Sequence, residues 1–239
     1  IGLVVEVLTN GILTDRSCCE QLIQAGPYQV TLSLDGVSPE THESIRRVKG
    51  MHGNIVRTAD NLAEFRQKYN TPVRILFKMV MMQPNLHEVT AMADWVHEKG
   101  QGELMVQPIE QNYGQEEDLE WYKKSGLWIY DTDEVRKVIE ALIEKKRQGL
   151  PVFNSEQHLL SMIDYFERPE EEMRRVQKHI ATQRKPVCLT GVSSFVVSSN
   201  GDVRWCFAMP PAGNVKEDTP RRIWRRRAAC WKTGCGYFL

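Results

Sequence analysis

The 239-residue chain balances 31 basic against 31 acidic side chains, so its formal net charge is zero. That balance removes the whole-chain electrostatic footprint expected of a nucleic-acid or anionic-membrane binder. No apolar run approaches the ~20 residues needed to span a bilayer, and the opening IGLVVEVL lacks the basic flank of a secretion signal. The expectation is a soluble, cytoplasmic protein with neither nucleic acid nor membrane as partner. In that compartment its six cysteines read as metal-binding or catalytic rather than as structural disulfides.

Along the chain, β-branched runs alternate with stretches of helical period. LVVEVL (3–8), VTLSL (30–34), VRILFKMV (73–80) and ELMVQ (103–107) read as strands bounded by Asn, Gly and Pro. The first helix is expected to start with Thr14 as N-cap and to end at Gly26. The second is expected to start at Ser38, with Pro39 at its first turn, where the absent N–H costs nothing. Val89, Met92, Ala93 and Val96 form one helical stripe before Gly100; Val135, Val138, Ile139, Leu142 and Ile143 form another before Gly149. Strand followed by helix, four times over, implies right-handed crossovers and a parallel sheet, either doubly wound or part of a β/α barrel.

After Pro108 the texture changes to a polar stretch, further helices to about Phe166, and the charged run ERPEEEMRR. From Pro186 it changes again, to a hairpin SFVVSSNGDVRWC turning at Asn200-Gly201, where a tight turn wants positive φ at both central residues. This places a domain boundary near residue 185, dividing 1–185 from 186–239.

Four of the six cysteines, Cys188, Cys206, Cys230 and Cys235, fall in the last quarter, around that hairpin. Loops folding back beside a hairpin bring distant thiolates to one point, as tetrahedral zinc or an iron–sulfur cluster requires, and all-sulfur ligation favours soft or borderline metals. The close C-x-x-C pairs usual for zinc are absent, yet spacing alone leaves both metals open, with buried free cysteines as the bland alternative. Cys18 and Cys19 point about 100° apart on a helix and read as packing residues. The arginine-rich RRIWRRR (221–227) reads as a solvated helix face, and Met79, Met81 and Met82 as core. No histidine pattern of a zinc hydrolase and no nucleophile elbow occurs.

The order Cys188, Gly201, Cys206, AGNV (212–215), Ile223-Trp224 and a final cysteine pair resembles the SPASM or shorter twitch auxiliary-cluster domain of radical S-adenosylmethionine enzymes. The N-terminal part agrees: LTNG (8–11), SLDG (33–36), HESIRRVKGMHGNI (42–55) and PNLHEV (84–89) resemble, in order, the later strands and connections of that family's partial barrel. The resemblance implies an α/β fold: the later units of a partial (β/α)6 TIM-like barrel with a helical extension, then a small hairpin-plus-helix, Cys-rich domain. It implies that Ser33 and Asp35 meet the ribose of S-adenosylmethionine, that Arg46 meets its carboxylate, and, more weakly, that Asn10 lies at the site. Cys188, Cys206, Cys230 and Cys235 would hold an auxiliary 4Fe-4S cluster.

The family's C-x-x-x-C-x-x-C loop, which holds the cofactor-cleaving 4Fe-4S cluster, is absent from this sequence. The chain opens on Ile1 inside an expected strand and therefore reads as a fragment, inactive alone. The activity implied is abstraction of hydrogen from a peptide or small-molecule substrate by a 5′-deoxyadenosyl radical, with flavodoxin or ferredoxin as electron donor. The rival reading is a zinc-stabilised or degenerate, non-catalytic binding module.

Overall fold

A computed structural model describes residues 3–111, 118–171, 193–206 and 209–227. The chain divides into two compact units, Gly2–Ile109 with Ser125–Glu167, and Glu110–Lys124 with Arg168–Leu239. The boundary expected near residue 185 falls outside the described residues.

The first unit is built on four parallel strands in sequential order: β1 (Glu6–Thr9), β2 (Gln29–Ser33), β3 (Arg74–Met81) and β4 (Glu103–Pro108). Between them run α1 (Arg16–Ala25), α2 (Pro39–Arg46), α3 (Met51–Lys68), a 3-10 turn (Gln83–Glu88) and α4 (Val89–Lys99); α6 (Thr132–Arg147) and α7 (Glu156–Glu167) follow. The last three strands and the two apolar stripes fall where the sequence places them, whereas β1 starts at Glu6, three residues later than the run LVVEVL suggests. The cap of α1 does not: Asp15, rather than Thr14, accepts the Cys18 N–H, because the Thr14 hydroxyl is engaged with Thr9. Gly26 ends α1 in the left-handed conformation, and Ser38 caps α2 by accepting from Thr41 N.

The pairing register sorts the strand residues onto two unlike faces. Val30 and Leu32, with Ile75, Phe77, Met79 and Met81 and with Leu104 and Val106, form one buried apolar face. The other, more polar face carries Gln29, Thr31 and Ser33 of β2, Arg74 and Lys78 of β3, and Glu103 and Gln107 of β4, interleaved with Leu76, Val80 and Met105. A parallel sheet is normally apolar on both faces, so the polar positions of this second face are a feature to be explained by function. The outer edge of β4 is taken up by residues 151–154. Leu104 N donates to Pro151 O, Phe153 N to Leu104 O, and the Asn154 amide both accepts from Val106 N and donates to Val106 O. At the opposite margin Leu3, Val4, Val5 and Leu8 are exposed.

The second unit contains α5 (Trp121–Lys124) and a small antiparallel sheet of β5 (Val196–Val197), β6 (Asp202–Arg204) and β7 (Gly213–Asn214), followed by α8 (Pro220–Trp224). Val203, Trp205 and Ile223 form its core, and Phe195 and Trp224 pack against them. The hairpin turn differs from expectation. Gly201 alone is left-handed, at φ 94°, and the Ser198 N–H donates to Asp202 O across a three-residue loop, a turn followed by a glycine bulge rather than a two-residue turn. The Asn200 side chain accepts from Asp202 N and makes up for the ladder bond that is lost. Among the described residues, no helix is long and apolar enough to cross a membrane.

Candidate functional site

In parallel α/β sheets, ligands gather at the C-terminal ends of the strands, and there the first unit concentrates its buried polar groups. Where β2 leaves the ladder, Leu34 N still donates to Lys78 O, and the next partner on β3 is supplied by a side chain: Val80 N donates to Asp35 Oδ1 at 3.0 Å. Asp35 is 1% exposed. Its second oxygen lies 2.6 Å from Arg46 Nε, its N–H donates to His42 Nδ1 at 3.0 Å, and its carbonyl accepts from Asn85 Nδ2 at 2.8 Å. Each polar group of Asp35 is thus committed within the protein.

Gly36 makes this return possible. A Cβ there would sit 2.8 Å from Thr41 Cβ and 2.9 Å from His42 N, so any side chain would force α2 away from the strand end. Glu88, from the 3-10 turn after β3, then fastens the loop. It accepts from Val37 N, Ser38 N, the Ser38 hydroxyl and the Thr41 hydroxyl. Burial alone would raise its pKa, but these donors outweigh it and hold the carboxyl below its ordinary value. Asn85, fully buried, closes the turn after β3: its Nδ2 donates to Val80 O as well as to Asp35 O, and its Oδ1 accepts from Met82 N.

His42 is fully buried, and desolvation pushes its pKa down to about 4. Because Nδ1 accepts a backbone N–H, the neutral ring carries its proton on Nε2. That N–H has no partner among the described residues, and the ring meets His52 edge-on at 6.0 Å between centroids. The proton on Nε2 leaves His42 a donor rather than a metal ligand.

The expected site residues are distributed as follows. Ser33 ends β2 on the polar face, half-buried, in register with Lys78. Arg46 ends α2, where Arg47 turns left-handed at φ 57°; its side chain is 31% exposed. Nothing among the described residues takes a hydrogen bond from its Nη1 or Nη2. Asn10 makes a local turn, with its Oδ1 accepting from Ile12 N, while the Thr9 hydroxyl accepts from Gly11 N. Ser33, Asp35 and Arg46 therefore share one strand end with His42, Asn85 and Glu88, and Asp35 is turned inward against Arg46. Cys206 lies just after β6, 6% exposed, but Cys188, Cys230 and Cys235 lie outside the described residues. Cys19 is buried in the helical layer, and desolvation raises its thiol to about 11, as expected of a packing residue. Met79, Met81 and Met82 are core. In the arginine-rich segment, Arg226 and Arg222 share Asp218, and Arg227 lies over Trp224.

Sequence reasoning missed Lys78, His42, Asn85 and Glu88 as members of one site. The signal for Lys78 was a charge set among the apolar residues of VRILFKMV, beyond the Arg74 near its start. For the others it was the polar positions of THES and PNLHE, which follow no helical or strand period.

No protein-family model matches the chain. In sequence it is similar to the AdoMet-dependent heme synthase of Methanosarcina barkeri, with 28% identity over 228 residues, covering 93% of this chain and 60% of the relative. It is likewise similar to the antilisterial bacteriocin subtilosin biosynthesis protein AlbA of Bacillus subtilis, with 26% identity over 225 residues, 92% of this chain and 42% of the relative. Among solved structures, its fold matches Streptococcus suis SuiB with a TM-score of 0.57 at 16% identity, covering 93% of this chain and 49% of that one. AdoMet-bound anSMEcpe matches with a TM-score of 0.51 at 19% identity, covering 92% and 53%. The chain thus spans roughly half the length of the proteins it matches. In sequence and fold together the chain is similar to members of the radical S-adenosylmethionine family of the SPASM type.

Proposed function

We propose that this chain is the S-adenosylmethionine-binding and auxiliary-cluster part of an enzyme that abstracts hydrogen from a peptide. The observation carrying this reading is the coincidence of sequence similarity over nine-tenths of the chain with a polar strand end that offers Ser33 and Arg46 to a ligand. The sequential order of the four strands, without reversal, supports a partial barrel over a doubly wound sheet.

The residues present suit S-adenosylmethionine. The Ser33 hydroxyl stands on the polar face for the ribose, and Nη1 and Nη2 of Arg46, which donate to nothing among the described residues, form the fork that matches a carboxylate. Asp35, enclosed and fully partnered, fits a ribose contact less well than the resemblance implies. When bound, S-adenosylmethionine and its reducing cluster supply the radical that removes hydrogen from the substrate. This chain's share is to bind and orient: the polar face carrying Ser33, Lys78 and Gln107 lines the space above the sheet, and the apolar face anchors it. Cys206, with Cys188, Cys230 and Cys235, would hold an auxiliary 4Fe-4S cluster.

Three of the relatives support a peptide substrate: AlbA is a bacteriocin biosynthesis protein, SuiB was solved with its precursor peptide SuiA, and anSMEcpe with the Cp18Cys peptide. The test is anaerobic reconstitution of the full-length protein with iron, sulfide, S-adenosylmethionine and reductant. Release of 5′-deoxyadenosine that rises on adding a peptide encoded beside the gene is the expected result. A protein that binds zinc, stays colourless and releases no 5′-deoxyadenosine would show the binding-module reading to be correct.

A further inference from the structure

We propose that Asp35 is a positioning residue that acts through Arg46, holding its guanidinium by the Nε edge so that Nη1 and Nη2 are left for the ligand's carboxylate. The inference rests on the reading that S-adenosylmethionine binds at this strand end, and it departs from the expectation that Asp35 itself meets the ribose.

Two observations carry it. Asp35 is enclosed, at 1% exposure, and its carboxylate already accepts from Val80 N and lies 2.6 Å from Arg46 Nε, while its backbone N–H and C=O are taken by His42 and Asn85. A ligand hydroxyl could reach it only by displacing these partners. Arg46 is the opposite case. It is 31% exposed at the end of α2, and its guanidinium pairs with Asp35 through Nε, while no hydrogen bond runs from Nη1 or Nη2 to any described residue. The Nε–H is not aimed squarely at the oxygen, so the contact is an ion pair rather than a directed hydrogen bond. An arginine on a helix end has wide rotamer freedom, and affinity is lost when that freedom must be given up on binding. A counter-charge fixed to β3 at 3.0 Å restricts the side chain beforehand. A competing effect works the other way, since Asp35 offsets part of the positive charge a carboxylate would feel. The sign of the net effect is therefore what the experiment reads.

The full-length protein, reconstituted anaerobically, is titrated with S-adenosylmethionine and with decarboxylated S-adenosylmethionine, which keeps the ribose and loses the carboxylate. Asp35→Asn is expected to weaken S-adenosylmethionine about tenfold, a typical size for coupling between sites, and to leave the decarboxylated ligand unchanged. Arg46→Gln should show the same selectivity, and the double variant should be no worse than Arg46→Gln alone, because the first residue works only through the second. Equal losses for both ligands in Asp35→Asn would overturn the inference in favour of a ribose contact, and so would tighter or unchanged binding of S-adenosylmethionine. Should Asp35→Asn fail to fold, Asp35→Glu displaces the charge by one methylene and the same pair of ligands is read, with the same outcomes deciding. If Arg46→Gln discriminates the ligands and Asp35→Asn does not, only the positioning role falls. If the unaltered protein binds neither ligand, the functional reading falls and this inference with it.

Discussion

Asn85 shows how much one buried amide carries at the strand end. It joins the carbonyls of Asp35 and Val80 to the N–H of Met82, and it is fully buried. A buried group left without its partner costs about 1–3 kcal/mol, so Asn85→Ala should destabilise the protein by about 3 kcal/mol, read from the denaturant midpoint at constant slope. A near-neutral result would mean that the turn after β3 is held elsewhere. His42 makes a second prediction, on pH. Its pKa falls from an ordinary 6.5 to about 4 on folding, chiefly because burial disfavours the charged ring. The unfolded chain therefore binds more protons between those values. The stability due to a neutral His42 is fully present above pH 6.5 and is lost as the pH falls towards 4, with a limiting slope of about 1.4 kcal/mol per pH unit. In His42→Gln, which keeps an acceptor for the Asp35 N–H, the pH dependence of the melting temperature across that window should flatten. An unchanged profile would assign the acid sensitivity to other groups.

At the scale of elements, the strands and helices were legible because each depends on a local periodicity. The apolar run VRILFKMV marks a strand buried over Ile75–Phe77, the stripes before Gly100 and Gly149 fix which helix residues turn inward, and packing agrees with them. The α1 cap was misread by one residue because Thr14 and Asp15 are both good caps, and only the tertiary contact with Thr9 decides between them. The candidate site was legible only in part. Ser33, Asp35 and Arg46 were proposed from motifs, but the network around them joins residues about fifty apart, such as Ser38 with Glu88 and Asp35 with Asn85, and no local pattern encodes such a pairing. The pairing of β3 with β4 offers a test at this scale. A Cβ on Gly102 would press into the Ile75 carbonyl and touch the Phe77 ring, so the two strands approach this closely only because position 102 has no side chain. Gly102→Ala should destabilise by about 1–3 kcal/mol, as overpacking does, and hydrogen exchange at the start of β4 should accelerate. Protection equal to that of the unaltered protein would show that the ladder can shift at no cost.

For the whole molecule, the division into two units assigns different chemistry to different parts of the chain. Arg46 belongs to Gly2–Ile109 with Ser125–Glu167, and Cys206 to Glu110–Lys124 with Arg168–Leu239. The first unit has its own two-faced sheet and the second its own core of Val203, Trp205 and Ile223, so a change at either site should leave the other unit folded. Under the proposed function the two properties separate. In the full-length, reconstituted protein, Cys206→Ser should lower the iron and sulfide content by the share of one cluster while S-adenosylmethionine affinity stays within about twofold, since additivity holds for sites without shared partners. Arg46→Gln should do the reverse, weakening the cofactor and leaving the metal content intact. Each variant is the control for the other: a protein that had merely misfolded would lose both properties at once. If Cys206→Ser keeps its full iron content, Cys206 is a core cysteine beside Trp205 and the auxiliary cluster must be held by other residues.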